Sequence, residues 1–412
     1  MKKNIKQDRK ITNLVRAVSV NLNNATQHKL NVLDIIMKEY KRITNVFIQK
    51  YIDVEKLPLR ITDKTDTWLS ARMQRKCGDH AMSIIKSCRT NERKHRYQRY
   101  KIVYKYFLQR NRQLKFLNKR FSELNLRRHY NPILKQDVMV LDGDIVTYLD
   151  DLHSEFDKWI KITSIGNRIK LVIPFNKHRQ YNKYVKTSWK RMSGCRLKKI
   201  NGTWFLDINF EKKITPKQGN IGLGLDQGKL KLLSTTENKV YGTELNKMLH
   251  KLINKKHGSK ASKTLVKRIK QYIYQEVKKL PTNYDFYVLE DLTDIQIGTT
   301  KRKKKRNKTE RKLTSRWQLD TLHRAINNYC DLNGIQIKYI DPTNTSRTCP
   351  CCGNVDKRNR NNEIFKCMGC GYTADADINA SFNILNRFYQ ENGLYDHVTI
   401  PDSKKTKDYI FL

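Results

Sequence analysis

The stretch TCPCCGNVDKRNRNNEIFKCMGCGYTADADINASFNIL, residues 348–385, decides how the rest of this 412-residue sequence is read. Cys349 and Cys352 form one CxxC pair and Cys367 and Cys370 a second, with fourteen residues between Cys352 and Cys367. Four thiolates at this spacing suit one tetrahedral Zn²⁺, and the glycine after each pair permits the tight knuckle turn. Four protein ligands close the coordination shell, so the expected zinc is structural. Cys351 is a competing ligand, but only Cys349 with Cys352 leaves the two-residue gap. Just beyond the second knuckle, Ile378, Phe382, Leu385 and Tyr389 recur at helical spacing. Asp375 and Asp377 therefore stand at a helix start, where the backbone dipole favours negative charge and where capping is the plain explanation for either.

Two other acids end strand-like runs. In NIGLGLDQG (220–228), Ile221, Leu223 and Leu225 alternate with Gly222, Gly224 and Asp226. Alternation puts the glycines and Asp226 on one face, predicting a flat open surface beside a carboxylate that a phosphate backbone can approach. In YDFYVLEDL (284–292) the run Tyr287, Val288, Leu289 predicts a strand buried on both faces. Glu290 shares its face with Phe286 and Val288; Asp291, the competing candidate, points the other way. Two strand-end carboxylates, Asp226 and Glu290, and a third at a helix start, Asp375 or Asp377, are a set that could converge on two Mg²⁺ to hydrolyse a phosphodiester.

Upstream, residues 10–22 read as an opening strand. Leu30, Leu33, Met37, Tyr40, Ile43 and Phe47 mark one helix, and Leu69, Met73, Cys77, Ala81, Ile84 and Cys88 a second. A third helix over 91–127 is dense in Lys and Arg, with Tyr97, Tyr100, Tyr104 and Phe107 at packing intervals. Its Arg93, Arg96 and Arg99 are candidate phosphate contacts. From about 137 short strands follow: DVMVLDG, RIKLVIPF and CRLKKINGTWFLDINF, the last with Asn201-Gly202 as a hairpin signal. The strands before and after the helices suggest a β-rich domain, barrel-like, into which the helices are inserted. ITPKQGN (214–220) reads as a linker, and KRKKKRNKTERK (301–312) as a basic loop whose Lys301, Arg302, Lys303, Lys304, Lys305 and Arg306 are further nucleic-acid candidates.

Charge bounds the partners. Lys and Arg number 84 against 39 Asp and Glu, a net charge of +45 that calls for a polyanion. No apolar run reaches the ~20 residues of a membrane span, and the start lacks a signal-peptide core. Nine cysteines, five of them within 349–370, suit a metal site better than a disulfide framework. The expectation is a cytoplasmic protein without a membrane partner.

With these residues in hand, DPTNTSRTCPCCGNVDKRNRNNEIFKCMGCGYTADADINASFNIL (341–385) resembles the C-terminal signature of TnpB proteins and of the miniature type V CRISPR effectors. GLGLDQG and YVLEDL resemble the first two RuvC motifs of that family, so the likeness covers roughly 216–390. The resemblance implies a catalytic triad at Asp226, Glu290 and Asp377. Asp377 is preferred to Asp375 by the pattern Asp377-Ile-Asn379-Ala380; Ser381 stands where the family has a second Ala. It also implies an Arg near the ribbon that stabilises charge, at Arg360 or Arg358. The implied fold is α+β and multidomain: an RNase H-like RuvC nuclease domain with an inserted zinc ribbon, and an N-terminal β-barrel-type wedge domain with an inserted helical recognition lobe. The corresponding boundaries are 1–24 and 136–213 for the wedge and 25–135 for the helical lobe. The nuclease domain takes 214–345 and 374–395, the target-nucleic-acid-binding ribbon 346–373 and a tail 396–412. The implied partners are a guide RNA and a target DNA, and the implied cofactors one Zn²⁺ and two Mg²⁺, in a monomer or homodimer. A silent guided DNA-binding regulator is disfavoured by the intact acids and a strand-joining transposase by the ribbon placed before the third one; a protein-directed nuclease is the remaining alternative.

Overall fold

The computed structural model describes residues 13–108, 132–150, 155–292 and 308–397. The chain divides into two compact units, one formed by Val15–Lys212 and the other chiefly by Lys213–Leu412.

The first unit begins with β1 (Asn13–Asn21), then α1 (Gln27–Tyr51) and α2 (Ala71–Leu108). After these come β2 (Val138–Leu141), β3 (Val146–Leu149), β4 (Lys158–Ile162), β5 (Leu171–Phe175), α3 (Arg179–Val185), β6 (Lys190–Ile200) and β7 (Thr203–Lys213). One sheet has the order β1-β7-β6-β2 and the other β3-β4-β5. Strands flanking the helices thus share a sheet. The described strands of this unit form these two ladders, and β6 carries a register irregularity between Arg191 and Cys195. The Asn201-Gly202 turn is a two-residue hairpin, with Ile200 opposite Thr203 and positive φ at both central residues (49° and 82°). Such turns match the twist of the strands they join.

On α1, Leu33, Met37, Tyr40, Ile43 and Phe47 are buried as their spacing predicts, while Leu30, in the first turn, is only half-buried. On α2 the stripe runs Met73, Cys77, Ala81, Ile85: strict four-residue steps bury Ile85, and Ile84, the residue expected, is only half-buried. The two helices expected over 69–88 and 91–127 are one continuous helix as far as Leu108, since nothing near residue 90 breaks it and Thr90 Oγ1 bonds back to the Lys86 carbonyl at 2.8 Å. Residues 109–131 lie outside the described residues. Both helices share one apolar core with both sheets, from Val18 and Tyr40 to Ile173 and Leu206.

The second unit is built on a mixed sheet. Its elements are β8 (Gly222–Gln227), β9 (Leu233–Thr235), β10 (Val240–Tyr241), α4 (Leu245–Ile253), α5 (Lys260–Val277) and β11 (Phe286–Glu290). They continue with α6 (Lys308–Arg316), α7 (Leu319–Asn333), β12 (Gln336–Ile340), β13 (Arg360–Asn361), β14 (Ile364–Lys366), β15 (Thr373–Asp375) and α8 (Ala376–Glu391). The order is β10-β9-β8-β11-β12, with β8, β11 and β12 parallel and β9 antiparallel to β8. On one face Leu223, Leu225, Tyr287 and Leu289 join a core with α4, α5 and α7. On the other, Phe286, Val288 and Ile340 meet Ile384, Leu385 and Tyr389 of α8.

The glycine face of β8 is not the open surface expected. A Cβ on Gly224 would lie 2.2 Å from the Ser381 carbonyl oxygen, and one on Gly222 2.3 Å from the Phe286 ring. The glycines admit α8 and a neighbouring ring, not a phosphate backbone. Ile221, expected to side with Leu223 and Leu225, lies before the strand and is exposed.

Candidate carboxylate and metal-binding site

β8 and β11 run in parallel register, Leu225 opposite Leu289, so Asp226 and Glu290 follow side by side toward the carboxyl ends of the two strands. Both are in phase with the residues that face α8. The crevice outside the carboxyl ends of parallel strands is the usual ligand position in such sheets. The third acid comes from α8. Asp375 is its N-cap, accepting from the amides of Asp377 (3.0 Å) and Ile378 (3.1 Å). Capping therefore accounts for Asp375 and leaves the Asp377 carboxylate for another use. Asp377 is buried and accepts from Arg360 Nη2 at 2.8 Å. Asp291 is exposed, on the other phase of the chain.

The electrostatics tie the three together. Enclosure lifts the Asp226 carboxyl well above the ordinary carboxylate range, and the nearby Asp377 and Glu290 charges push it further, with Arg360 opposing. Glu290 is raised by burial, against a hydrogen bond donated by the Thr345 hydroxyl and the more distant charges of Arg387 and Arg360. Clustered, half-desolvated carboxylates are costly unless cations join them, which is the donor chemistry of a Mg²⁺ site. Among the described residues the four cysteines are the only group of three or more such side chains whose ligand atoms all lie within 4.8 Å of one another, so the three carboxylates do not gather that tightly.

In the ribbon, Cys349 Sγ lies 3.6 Å from Cys370 Sγ and Cys352 Sγ 3.5 Å from Cys367 Sγ. Ligands 2.3 Å from a tetrahedral centre stand ~3.8 Å apart, so the four sulfurs fit a zinc-sized ion. Gly353 and Gly371 carry φ of 73° and 75°, and their amides return to the carbonyls of Cys349 and Cys367. The Cys367 thiol is held at about 7: burial works against ionisation, and the amides of Cys370 and Gly369 aimed at its sulfur outweigh it. Cys351 is exposed and outside the four-sulfur cluster. Strands β13, β14 and β15 form a small antiparallel sheet over a core of Phe365, Tyr372, Ala374 and Ala376, and β15 runs directly into α8. The ribbon thus fixes where Asp377 begins.

Several supporting residues have no obvious signal in the sequence. Asn383 Nδ2 donates to the carbonyls of Thr345 (2.8 Å) and Thr348 (2.7 Å), pinning the loop whose Thr345 hydroxyl reaches Glu290. Asn359, fully buried, holds Arg347, Asn354 and the Met368 amide around the knuckles. Lys231, beyond β8, pairs with the cap Asp375 and with Glu363 at 3.5 Å. Of the two arginine candidates, Arg360 reaches Asp377, and the exposed Arg358 pairs with Asp356 at 2.7 Å. Arg93, Arg96 and Arg99 fall on α2, with side chains outside the described ones, and Lys301–Arg306 lie outside the described residues.

The family model for the Cas12f1-like TNB domain matches residues 320–384, which contain the ribbon and the start of α8. A TnpB-like protein of Methanocaldococcus jannaschii is 30% identical over 44% of this chain and 67% of its own length. This chain belongs to the TnpB-like family. The CRISPR-associated endodeoxyribonuclease Cas12f1 of Sulfoacidibacillus thermotolerans is 39% identical over 23% of the TnpB-like chain and 20% of that protein. The putative RNA-guided DNA endonuclease InsQ of Escherichia coli is 25% identical over 45% of the chain and 54% of that protein. Against the last two, then, the match spans only a fifth and about half of the relative. No described helix of the TnpB-like chain is long and apolar enough to cross a membrane.

Proposed function

We propose that this chain is an RNA-guided DNA endonuclease whose RuvC-type site hydrolyses a phosphodiester with Asp226, Glu290 and Asp377. The observation that carries this reading is the convergence of the three acids from two parallel strand ends and one helix start, with the Asp226 carboxyl raised by burial and by the other two. The mixed sheet, covered on both faces, supports the RNase H-like assignment. The names of the relatives supply the guided-endonuclease class. Asp226, Glu290 and Asp377 would hold two Mg²⁺, which would supply activation of water and stabilisation of the leaving oxygen. Arg360 donates to Asp377 and would meet a non-bridging phosphate oxygen of the substrate. Cys349, Cys352, Cys367 and Cys370 would hold one structural Zn²⁺.

The test is substitution with a binding control. Asp226→Ala, Glu290→Ala and Asp377→Ala should each lower Mg²⁺-dependent cutting by at least ~100-fold, the scale lost when a metal or charge-stabilising contact is removed. RNA binding should stay near that of the parent. Normal cutting by Asp377→Ala together with a dead Asp375→Ala would move the third ligand to Asp375.

A further inference from the structure

Two of the three acids have a side chain that donates to them. Glu290 accepts from the Thr345 hydroxyl and Asp377 from the Arg360 guanidinium. Asp226 accepts from no side chain among the described residues. Next to it lies a hydroxyl in the complementary condition. β9 pairs antiparallel with β8, and Ser234 stands directly opposite Asp226. Opposed residues of such a pair project to the same face, with Cβ atoms about 4.5–5.5 Å apart. The neighbours of Ser234 show which face this is. Leu233 joins Leu225 in the core with α4, α5 and α7, so alternation turns Ser234 to the other side, where α8 packs over β9. Ser234 is 1% exposed, and its Oγ has no hydrogen-bond partner. A buried hydroxyl without a partner is rare enough to need a reason. Packing under α8 asks only for a small side chain, and alanine would meet that need without a polar atom to bury.

We propose that Ser234 is a positioning residue of the cation site, its hydroxyl donating to the Asp226 carboxylate and holding it in the orientation that meets the ion. The inference rests on the metal-site reading above and adds a residue to it. Across the separation of an opposed pair, a serine hydroxyl reaches a facing carboxylate by rotation about one bond. An ionised carboxylate accepts at both oxygens, so one can take the hydroxyl while the other is left for the ion. Thr345 already stands in this relation to Glu290. Ligating carboxylates are held by such outer hydrogen bonds, and loss of one weakens metal binding by ~10–100-fold. Ser234 and Asp226 are not bonded to each other as the chain stands, so the hydroxyl serves binding and not the stability of the sheet. That difference is measurable.

The experiment uses the full chain freed of nucleic acid, as the parent, Ser234→Ala and Asp226→Ala. Mn²⁺ is the probe, its binding followed by loss of the free-ion paramagnetic resonance signal. Binding present in the parent and absent in Asp226→Ala reports the site. That binding should weaken at least ~10-fold in Ser234→Ala, the lower end for an outer hydrogen bond to a ligand. The thermal midpoint without added Mn²⁺ should not fall, because alanine removes a buried hydroxyl that bonds to nothing. A purely structural role would predict the reverse, a lower midpoint with unaltered Mn²⁺ affinity. Unchanged affinity in Ser234→Ala would overturn the assignment, and so would a midpoint lowered in the absence of Mn²⁺, which would make the hydroxyl part of the fold. Parent and Asp226→Ala titrations that coincide would overturn the metal-site reading itself, and this proposal with it.

Discussion

Asp375 and Asp377 sit two residues apart with the same side chain, and the helix between them separates their roles. Asp375 spends its carboxylate on two amides and on Lys231, so Asp377 is free to face Asp226 and Glu290. We propose Lys231 as a positioning residue: its side chain is largely covered and joins the segment after β8 to the cap that starts α8. Lys231→Met should leave the capping carboxylate and Glu363 without their cation and loosen the helix start, a loss of roughly 1 kcal/mol for such a half-buried pair. We expect cutting to need about fivefold more Mg²⁺ for half-maximal rate, with the rate at saturation changed less, and Lys231→Arg to restore most of it. A Mg²⁺ titration in which Met and Lys enzymes coincide would remove Lys231 from the site. The strand phases of Asp226 and Glu290 were legible because alternation separates Glu290 from Asp291 and puts Asp226 on the glycine face, whereas Asp377 was preferred to Asp375 by the resemblance alone. Lys231 was not legible, since its cap partner is 144 residues away and nothing local marks the pairing. Thr345 escaped for the same reason, 55 residues from Glu290.

Among elements, those defined by local chemistry could be read and those defined by a neighbour could not. The Asn201-Gly202 hairpin, the stripe on α1 and the two knuckles each follow from rules within a few residues. The glycines of β8 were misread because the same absence of side chains that would admit a phosphate also admits a helix, and only the tertiary structure shows that α8 takes the space. The ribbon shows the dependence of one element on another most directly. Its apolar core holds only Phe365, Tyr372, Ala374 and Ala376 beside two of its cysteines, too little to fold alone. A structural zinc contributes about 10 kcal/mol to such a module. We expect about one zinc per chain in the purified protein. Cys352→Ser, or treatment with a strong chelator, should release it, expose the 346–373 region to protease and reduce cutting by at least ~100-fold with RNA still bound. Full activity in zinc-free protein would show that β15 and α8 hold Asp377 without the ribbon.

At the scale of the whole chain, the charge of +45 was read before any fold and constrains function more than it constrains structure. It could not give the division into two units, or the single core that the helices of the first unit share with its strands, because both depend on contacts between distant segments. What the charge does set is the size of the partner. A short DNA site offers few phosphates to a protein with this excess, while a long folded RNA offers many, and release of its counterions favours binding at low salt. In a guided nuclease the protein holds the heteroduplex by shape and charge while base pairing reads the sequence. We therefore expect the protein, purified from cells that carry its native locus, to retain an RNA whose loss on ribonuclease treatment abolishes sequence-selective cutting. Matched DNA should be cut and DNA mismatched to that RNA spared, with RNA binding weakening steeply between 50 and 200 mM salt, by roughly 10³-fold or more for six phosphate contacts. Equal selectivity from the RNA-free protein would place recognition in the protein itself and make the chain a protein-directed nuclease.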